Sequence, residues 1–246
     1  LEVLAGDGRF EILKLLWDNG FTFDTFVFSS AAANGHLEIL KWLKDNGCPW
    51  NEWSCTLAAL NGHFEVLKWL RGNELDPCPW NEDTCAYASK GGRLEILIWL
   101  RENGCPEDWT TLLYAAIKGN FEILKWLSDN GCPATLRKSM PDEGEEISSA
   151  AVENGHFEIS KWLFDNGFPI GTSTCAAAAK YGNLEVLQWL RDMGCPWDEI
   201  TCTYAASKGH LSILQYAVEN GCPYNMYMME FLSKYHQHIT EYISTL

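Results

Sequence analysis

The chain has 246 residues, 47% of them hydrophobic and 21% charged, which places it among globular proteins and excludes a disordered or fibrous one. Lysine and arginine total 18 against 33 aspartates and glutamates, a formal charge of −15. That field repels phosphate backbones and argues against nucleic acid as a partner; it serves solubility alone or, on a sharper reading, attracts a protein with a basic surface. No apolar run approaches the ~20 residues that a membrane-spanning helix needs, and no signal peptide opens the chain.

Self-similarity is the dominant feature of the chain. The first copy, GRFEILKLLWDNG, starts at Gly8, and NGHLEILKWLKDNGCPW surrounds Gly35. Further copies lie at Gly62, Gly92, Gly119, Gly155, Gly182 and Gly209, with steps of 27, 27, 30, 27, 36, 27 and 27 residues from Gly8 onward. Because the text starts partway through a unit, the first repeat is incomplete and the chain is expected to be part of a longer protein.

Each unit is predicted to hold two helices. In the one after the glycine, Leu37, Ile39, Leu40 and Leu43 share a stripe at helical spacing. Glu38 and its counterparts Glu11, Glu65, Glu95, Glu122, Glu158 and Glu185 lie in the first turn, where the helix dipole favours a negative charge. Asn46-Gly47 ends this helix with a glycine suited to the left-handed conformation. A tight connector comes next, Cys48 to Glu52 or Cys195 to Glu199, whose Asn51 and Asp198 are good N-cap types. The second helix is short and small, with paired alanines that let neighbours approach. Such a unit cannot bury its own apolar face, so stacking must supply the stability.

Two departures from the period occur. Three residues are added near Glu74 to Pro77, and nine between Cys132 and Ile147. The longer insertion carries Arg137, Lys138, Ser139 and the acidic stretch Asp142 to Glu146, and is expected to project as a loop able to meet a partner. After Gly209 the pattern decays, and Tyr224 to Leu246 is expected to form a helix pair closing the array. This divides the chain into a repeat array over 1–221 and a C-terminal cap over 222–246.

The conspicuous residue types fall in phase with the repeat. Trp42, Trp69, Trp99, Trp126, Trp162 and Trp189 occupy one position, which points to packing between repeats rather than to a ligand platform. Of the 10 cysteines, six share the connector position and four, Cys55, Cys85, Cys175 and Cys202, share an inner position. No Cys-x-x-Cys occurs, so zinc is not expected; reduced, buried thiols in an intracellular, cytoplasmic setting are. His36, His63, His156 and His210 share their place with Asn120, Asn183, Arg9 and Arg93, which suits a helix start or surface better than a metal ligand. His236 and His238 read as exposed residues of the cap. No phosphate loop or Ser/His/Asp set appears, so neither catalysis nor a cofactor is expected.

The text Thr111-Leu-Leu-Tyr-Ala-Ala-Ile-Lys-Gly-Asn-Phe-Glu-Ile-Leu-Lys-Trp-Leu resembles the ankyrin repeat, and the resemblance runs along almost the whole chain. Ankyrin repeats usually run to about 33 residues; the residues missing here lie where that family carries its β-hairpin finger. Shortened repeats of this kind are common in algae, amoebae and the large DNA viruses of protists. The resemblance implies an all-α, ankyrin-like helical solenoid of about eight helix–loop–helix repeats, with hairpins cut to tight loops and a C-terminal helical cap.

It also implies that the inner helices line a concave face. Three positions of the inner helix vary in chemistry between units, such as Phe26, Ser29 and Ala33, Trp53, Thr56 and Leu60, and Asp83, Ala86 and Lys90. They are expected to face a partner there or, for some of them, to pack in the core against the neighbouring inner helix. Their apolar members are Trp53 and Leu60 in one unit and Leu113 and Ile117 in another, with Trp109 beside them. Together with Arg137 and Lys138 these are the candidate partner contacts. The expected function is a protein-binding adaptor. A passive structural subunit, or a targeting module of a longer protein with a catalytic domain, remain open alternatives.

Overall fold

The structure is a computed structural model that describes residues 1–72, 76–131 and 141–246. Eighteen helices occur among the described residues, and no strand. The inner helices are α1 (Glu2–Gly6), α3 (Thr25–Ala33), α5 (Glu52–Asn61), α7 (Glu82–Lys90), α9 (Thr110–Lys118), α11 (Pro141–Glu153), α13 (Thr172–Lys180), α15 (Glu199–Lys208) and α17 (Met226–Ser233). Each is followed by an outer partner: α2 (Phe10–Asp18), α4 (Leu37–Asp45), α6 (Phe64–Arg71), α8 (Leu94–Glu102), α10 (Phe121–Asp129), α12 (Phe157–Asp165), α14 (Leu184–Asp192), α16 (Leu211–Glu219) and α18 (Gln237–Ile243). Two compact units divide the chain, Leu1–Leu127 and Ser128–Leu246. Within each, the helix pairs stack as an all-α solenoid.

The inner helices pack side by side, because their contact surfaces are nearly bare of side chain. Ala31 and Ala32, Ala58 and Ala59, Ala115 and Ala116, and Ala205 and Ala206 are all fully buried. The outer helices bury one aliphatic stripe each, such as Ile39, Leu40 and Leu43 or Val186, Leu187 and Leu190. Each fully buried side chain of this size contributes about 1.5–3 kcal/mol before entropy is charged against it.

Two devices join successive repeats, and both use a backbone carbonyl of the preceding repeat. The residue after the repeat glycine reaches back to the C-terminal end of the previous inner helix. His36 Nε2 lies 2.8 Å from the Gly6 carbonyl and His63 Nε2 3.0 Å from that of Ala33. Arg93 Nε donates to the Leu60 carbonyl at 3.3 Å and Asn120 Nδ2 to that of Ser89 at 2.6 Å. His210 does the same at Lys180. His236, which follows Tyr235 and is expected from the sequence to be exposed, is instead half-buried with its Nε2 3.1 Å from the Ser207 carbonyl. At these residues the position expected to be a helix start or surface feature is a latch between repeats, whereas Asn183 caps its own helix by accepting from the Val186 N–H at 3.0 Å. The repeat glycine leaves room for the latch: Gly35 has φ +76°, and a Cβ there would stand 2.5 Å from the His63 ring.

The second device is the connector thiol, which donates to the carbonyl that opens the previous inner helix. Cys48 reaches Asp24 at 3.4 Å, Cys78 reaches Asn51 at 3.3 Å, Cys105 reaches Asn81 at 3.4 Å and Cys195 reaches Gly171 at 3.2 Å. Burial, with the Asp24 carboxylate beside it, pushes the Cys48 thiol up to about 12. The inner-helix thiols Cys55, Cys85, Cys175 and Cys202 are pushed up further, first by their hydrogen bonds to Cys78, Cys105, Cys195 and Cys222, then by burial. All nine described cysteines are buried, unpaired thiols.

The outer-helix tryptophans do pack between repeats, although half-buried rather than enclosed. Trp42 meets Phe10, Trp17 and Phe23 with ring centroids 5.7, 6.1 and 5.9 Å away. Trp99 meets Phe64 and the connector residue Trp80. A cation from the preceding outer helix covers each connector ring: Lys44 over Trp50 at 3.3 Å, Arg71 over Trp80 at 3.8 Å and Arg191 over Trp197 at 4.0 Å. The acidic stretch Asp142 to Glu146, expected in a loop, instead forms the opening turns of α11, where Pro141 at the start and Asp142 and Glu143 in the first turn suit a helix N-terminus.

Candidate protein-docking face

In the first unit α3, α5 and α7 are each contacted by both neighbouring inner helices and by their own outer partner, so little of them remains for a ligand. In the first unit the side that remains runs through three positions, represented on α5 by Trp53, Leu57 and Leu60. Their counterparts on α7 are Asp83, Tyr87 and Lys90, and on α9 they are Thr110, Tyr114 and Ile117. All of these are half-buried or, for Trp53, 40% exposed.

The middle row is offset by one residue from the sequence expectation. Ser29, Thr56 and Ala86, expected on the open face, are buried between inner helices, and Thr56 and Thr84 pair across α5 and α7 with hydroxyls 3.2 Å apart. One residue is a 100° rotation about a helix, enough to exchange an exposed position for an interface. Trp53 and Leu60 lie on the open row of α5, and Ile117 on that of α9. Leu113 is half-buried on the displaced row, and Trp109 sits half-buried at the start of α9. Arg137 and Lys138 lie outside the described residues.

The rotation brings two residues to the face that the sequence reading passed over, Tyr87 and Tyr114. Trp53 packs edge-on against Tyr87 at 5.8 Å, and Tyr87 against Tyr114 at 5.5 Å, a continuous aromatic row across α5, α7 and α9. The Lys90 ammonium lies 4.7 Å from the Tyr87 ring and 4.9 Å from that of Tyr114. Burial, then the neighbouring Tyr114 and Asp83, hold the Tyr87 hydroxyl above its usual range. The row is bordered at the helix N-termini by Glu52, Glu82, Asp83 and Asp108. Such a surface can seat apolar side chains and hydrogen-bond their flanking groups. Among the described residues no group of three or more His, Cys, Asp or Glu side chains is placed to hold a metal ion. Nor is any described helix long and apolar enough to cross a membrane.

The helix pairs, their period and the inner-face row define a class, the helical-repeat proteins. Family models place the chain within it. Residues 84–174 match the model for ankyrin repeats in three copies, and residues 28–71 and 175–218 match that for many copies. The chain belongs to the ankyrin repeat family. Among solved structures it is similar to the human ASB11 ankyrin repeat domain, with 22% identity and a TM-score of 0.53 over 69% of this chain and 84% of that one. It is also similar to the pentatricopeptide repeat protein PPR10 in complex with an 18-nt psaJ RNA element, with 13% identity and a TM-score of 0.54 over 99% of this chain and 42% of that one. At such identities these likenesses speak for the helical-repeat fold alone. No curated protein matches the chain in sequence.

Proposed function

We propose that the chain acts as a protein-binding adaptor, with the inner-helix face of the first unit as its docking surface. The observation that carries this reading is the aromatic row Trp53–Tyr87–Tyr114, set on three successive inner helices whose scaffold text is otherwise shared. Tryptophan and tyrosine are the residue types that most often dominate binding energy at protein interfaces, because they combine large area with few rotatable bonds. The carboxylates bordering the row, and the net charge of −15, favour a partner segment that brings basic residues beside its apolar ones. Nothing in this reading requires bond-making chemistry of the chain.

Site-directed photo-crosslinking tests it. A benzophenone side chain placed at Tyr114 should trap a partner protein in cells of the source organism, and the same group at Glu38, on the outer helix, should not. Adding Trp53→Arg should abolish the Tyr114 adduct while the far-UV spectrum is unchanged. A partner trapped only from Glu38 would move the contact to the outer helices and favour a passive structural subunit instead.

A further inference from the structure

The second unit carries its own open face, and its chemistry differs from that of the first. Four apolar residues occupy the two outermost rows of α15 and α17. Ile200 and Tyr204 are 47% and 36% exposed, and Tyr227 and Phe231, one 27-residue period further on, are 84% and 66% exposed. The period places all four on one strip, since α15 and α17 pack side by side. Tyr227 and Phe231 repeat the open-face positions of Ile200 and Tyr204.

Three lysines lie at the C-terminal ends of these inner helices: Lys180 ending α13 and Lys234 directly after α17 share one row of the repeat, and Lys208, ending α15, stands one position on from that row. They form a local basic border in a strongly acidic chain. Lys180 sits 5.7 Å from the Tyr204 ring and 3.9 Å from a Glu153 carboxylate oxygen. Lys234 sits over Phe231 and Tyr235 at 5.4 and 4.9 Å. Neither Lys208 nor Lys234 has a carboxylate partner among the described residues. The carboxylates nearest the strip are engaged or remote: Glu230, exposed on α17 beside Phe231, is not free, Glu153 pairs with Lys180, Asp198 accepts the Ile200 N–H at 3.0 Å, and Glu199 lies at the opposite edge. A recess of about 230 Å³, lined by Ala176, Ala177, Ile200 and Tyr204 with Glu153 and Asp198, opens at the α13 side of the strip and is large enough for one side chain.

From this strip and its lysine border we infer a second docking surface, which takes an acidic amphipathic segment of a partner protein. The partner's apolar side chains lie on Ile200, Tyr204, Tyr227 and Phe231, and its carboxylates lie along Lys180, Lys208 and Lys234. An exposed apolar strip of this extent marks an interaction site, and the charges beside it set which sequences it admits. Aromatic rings next to lysines also suit single-stranded nucleic acid. The net charge of −15 opposes that partner, whereas a short acidic segment needs only the local field of the three lysines.

Selection of short random peptides by display on the intact chain tests the inference. Winning sequences should combine Asp or Glu with Leu, Phe or Trp, and Phe231→Ser with Tyr227→Ser should weaken the best of them by about tenfold or more. Lys208→Glu with Lys234→Glu should turn the selected charge from acidic to basic. All four side chains are exposed, and a thermal melt verifies that each variant is folded. Winners without acidic residues, winners indifferent to both pairs of substitutions, or no winners at all would overturn the inference. So would fluorescent oligouridine binding that displaces the peptide. Winners that depend on Trp53 rather than Phe231 would also overturn it, yet leave the adaptor reading of the first unit standing.

Discussion

The latch between repeats can be weighed by a pair of glycine substitutions. Gly35 and Gly47 have nearly the same backbone, φ +76° and +75°, so alanine at either one suffers the same left-handed strain of about 1–2 kcal/mol. Their surroundings differ. A Cβ at Gly47 would meet nothing within 4 Å, whereas one at Gly35 would stand 2.5 Å from His63 Nδ1 and displace the ring from its hydrogen bond to Ala33. Losing that bond and stranding the carbonyl adds about 1–2 kcal/mol. Gly47→Ala should therefore lower the melting temperature by about 2–6 °C, and Gly35→Ala by roughly twice as much, for a chain of this size. In the double variant Gly35→Ala with His63→Ala the clash is absent, so the combined loss should fall short of the sum by about 1 kcal/mol. Urea titrations followed by circular dichroism supply all four values. Equal losses for Gly35→Ala and Gly47→Ala, or strict additivity in the double variant, would refute the latch as a stabilising contact.

Trp42→Ala removes a half-buried ring that touches Phe10, Trp17 and Phe23, and should cost about 2 kcal/mol, less than the 3–5 typical of a fully enclosed aromatic, in the same urea assay. Stability should also depend on alkali. The thiols of Cys48, Cys55, Cys85 and Cys175 are raised in the folded state from an ordinary value of 9.0, so their contribution is complete below about pH 9 and is lost as the unfolded thiols ionise above it, whereas the raised Cys202 is offset by its partner Cys222, whose thiol that same hydrogen bond lowers. Each such thiol should steepen the loss by about 1.4 kcal/mol per pH unit, readable from melts between pH 8 and about 10.5. A chain equally stable at both ends of that range would contradict the burial of these groups. The nine described thiols should likewise react with an aromatic disulfide reagent only at the rate of unfolding, so that urea below the transition accelerates their labelling through opening rather than through exposure.

The period, the two-helix unit and the packing role of the tryptophans were legible because they repeat covalently: Trp42, Trp69 and Trp99 stay in phase with Leu43, Leu70 and Leu100, and phase with a core stripe means packing. The rotation of the inner helices was not legible. Helices such as α3 and α15 carry small or apolar residues on several sides, since neighbours cover three of their faces, and a sequence with no single stripe leaves the phase open by a residue. That one residue hid Tyr87 and Tyr114 behind Ala86 and Leu113. The latch left a signal of another kind. His63, Arg93 and Asn120 differ in size and charge, but each carries an N–H donor, and it is this shared hydrogen, not the residue type, that the preceding carbonyl selects. Pro141 followed by Asp142 and Glu143 carried the marks of a helix start, which their place in an insertion obscured.

In both the latch and the connector thiol, the acceptor is main chain. Every residue type offers that acceptor, so a repeat makes no chemical demand on the side chains of the one before it at these two points. A whole 27-residue block can then be duplicated, excised or exchanged with another, and the joints on either side re-form unchanged. The same independence frees the open face. Trp53 can become Asp83 or Ile200 from one block to the next without disturbing either joint, so the lineage can lengthen the array, or give it a new partner, by recombination alone.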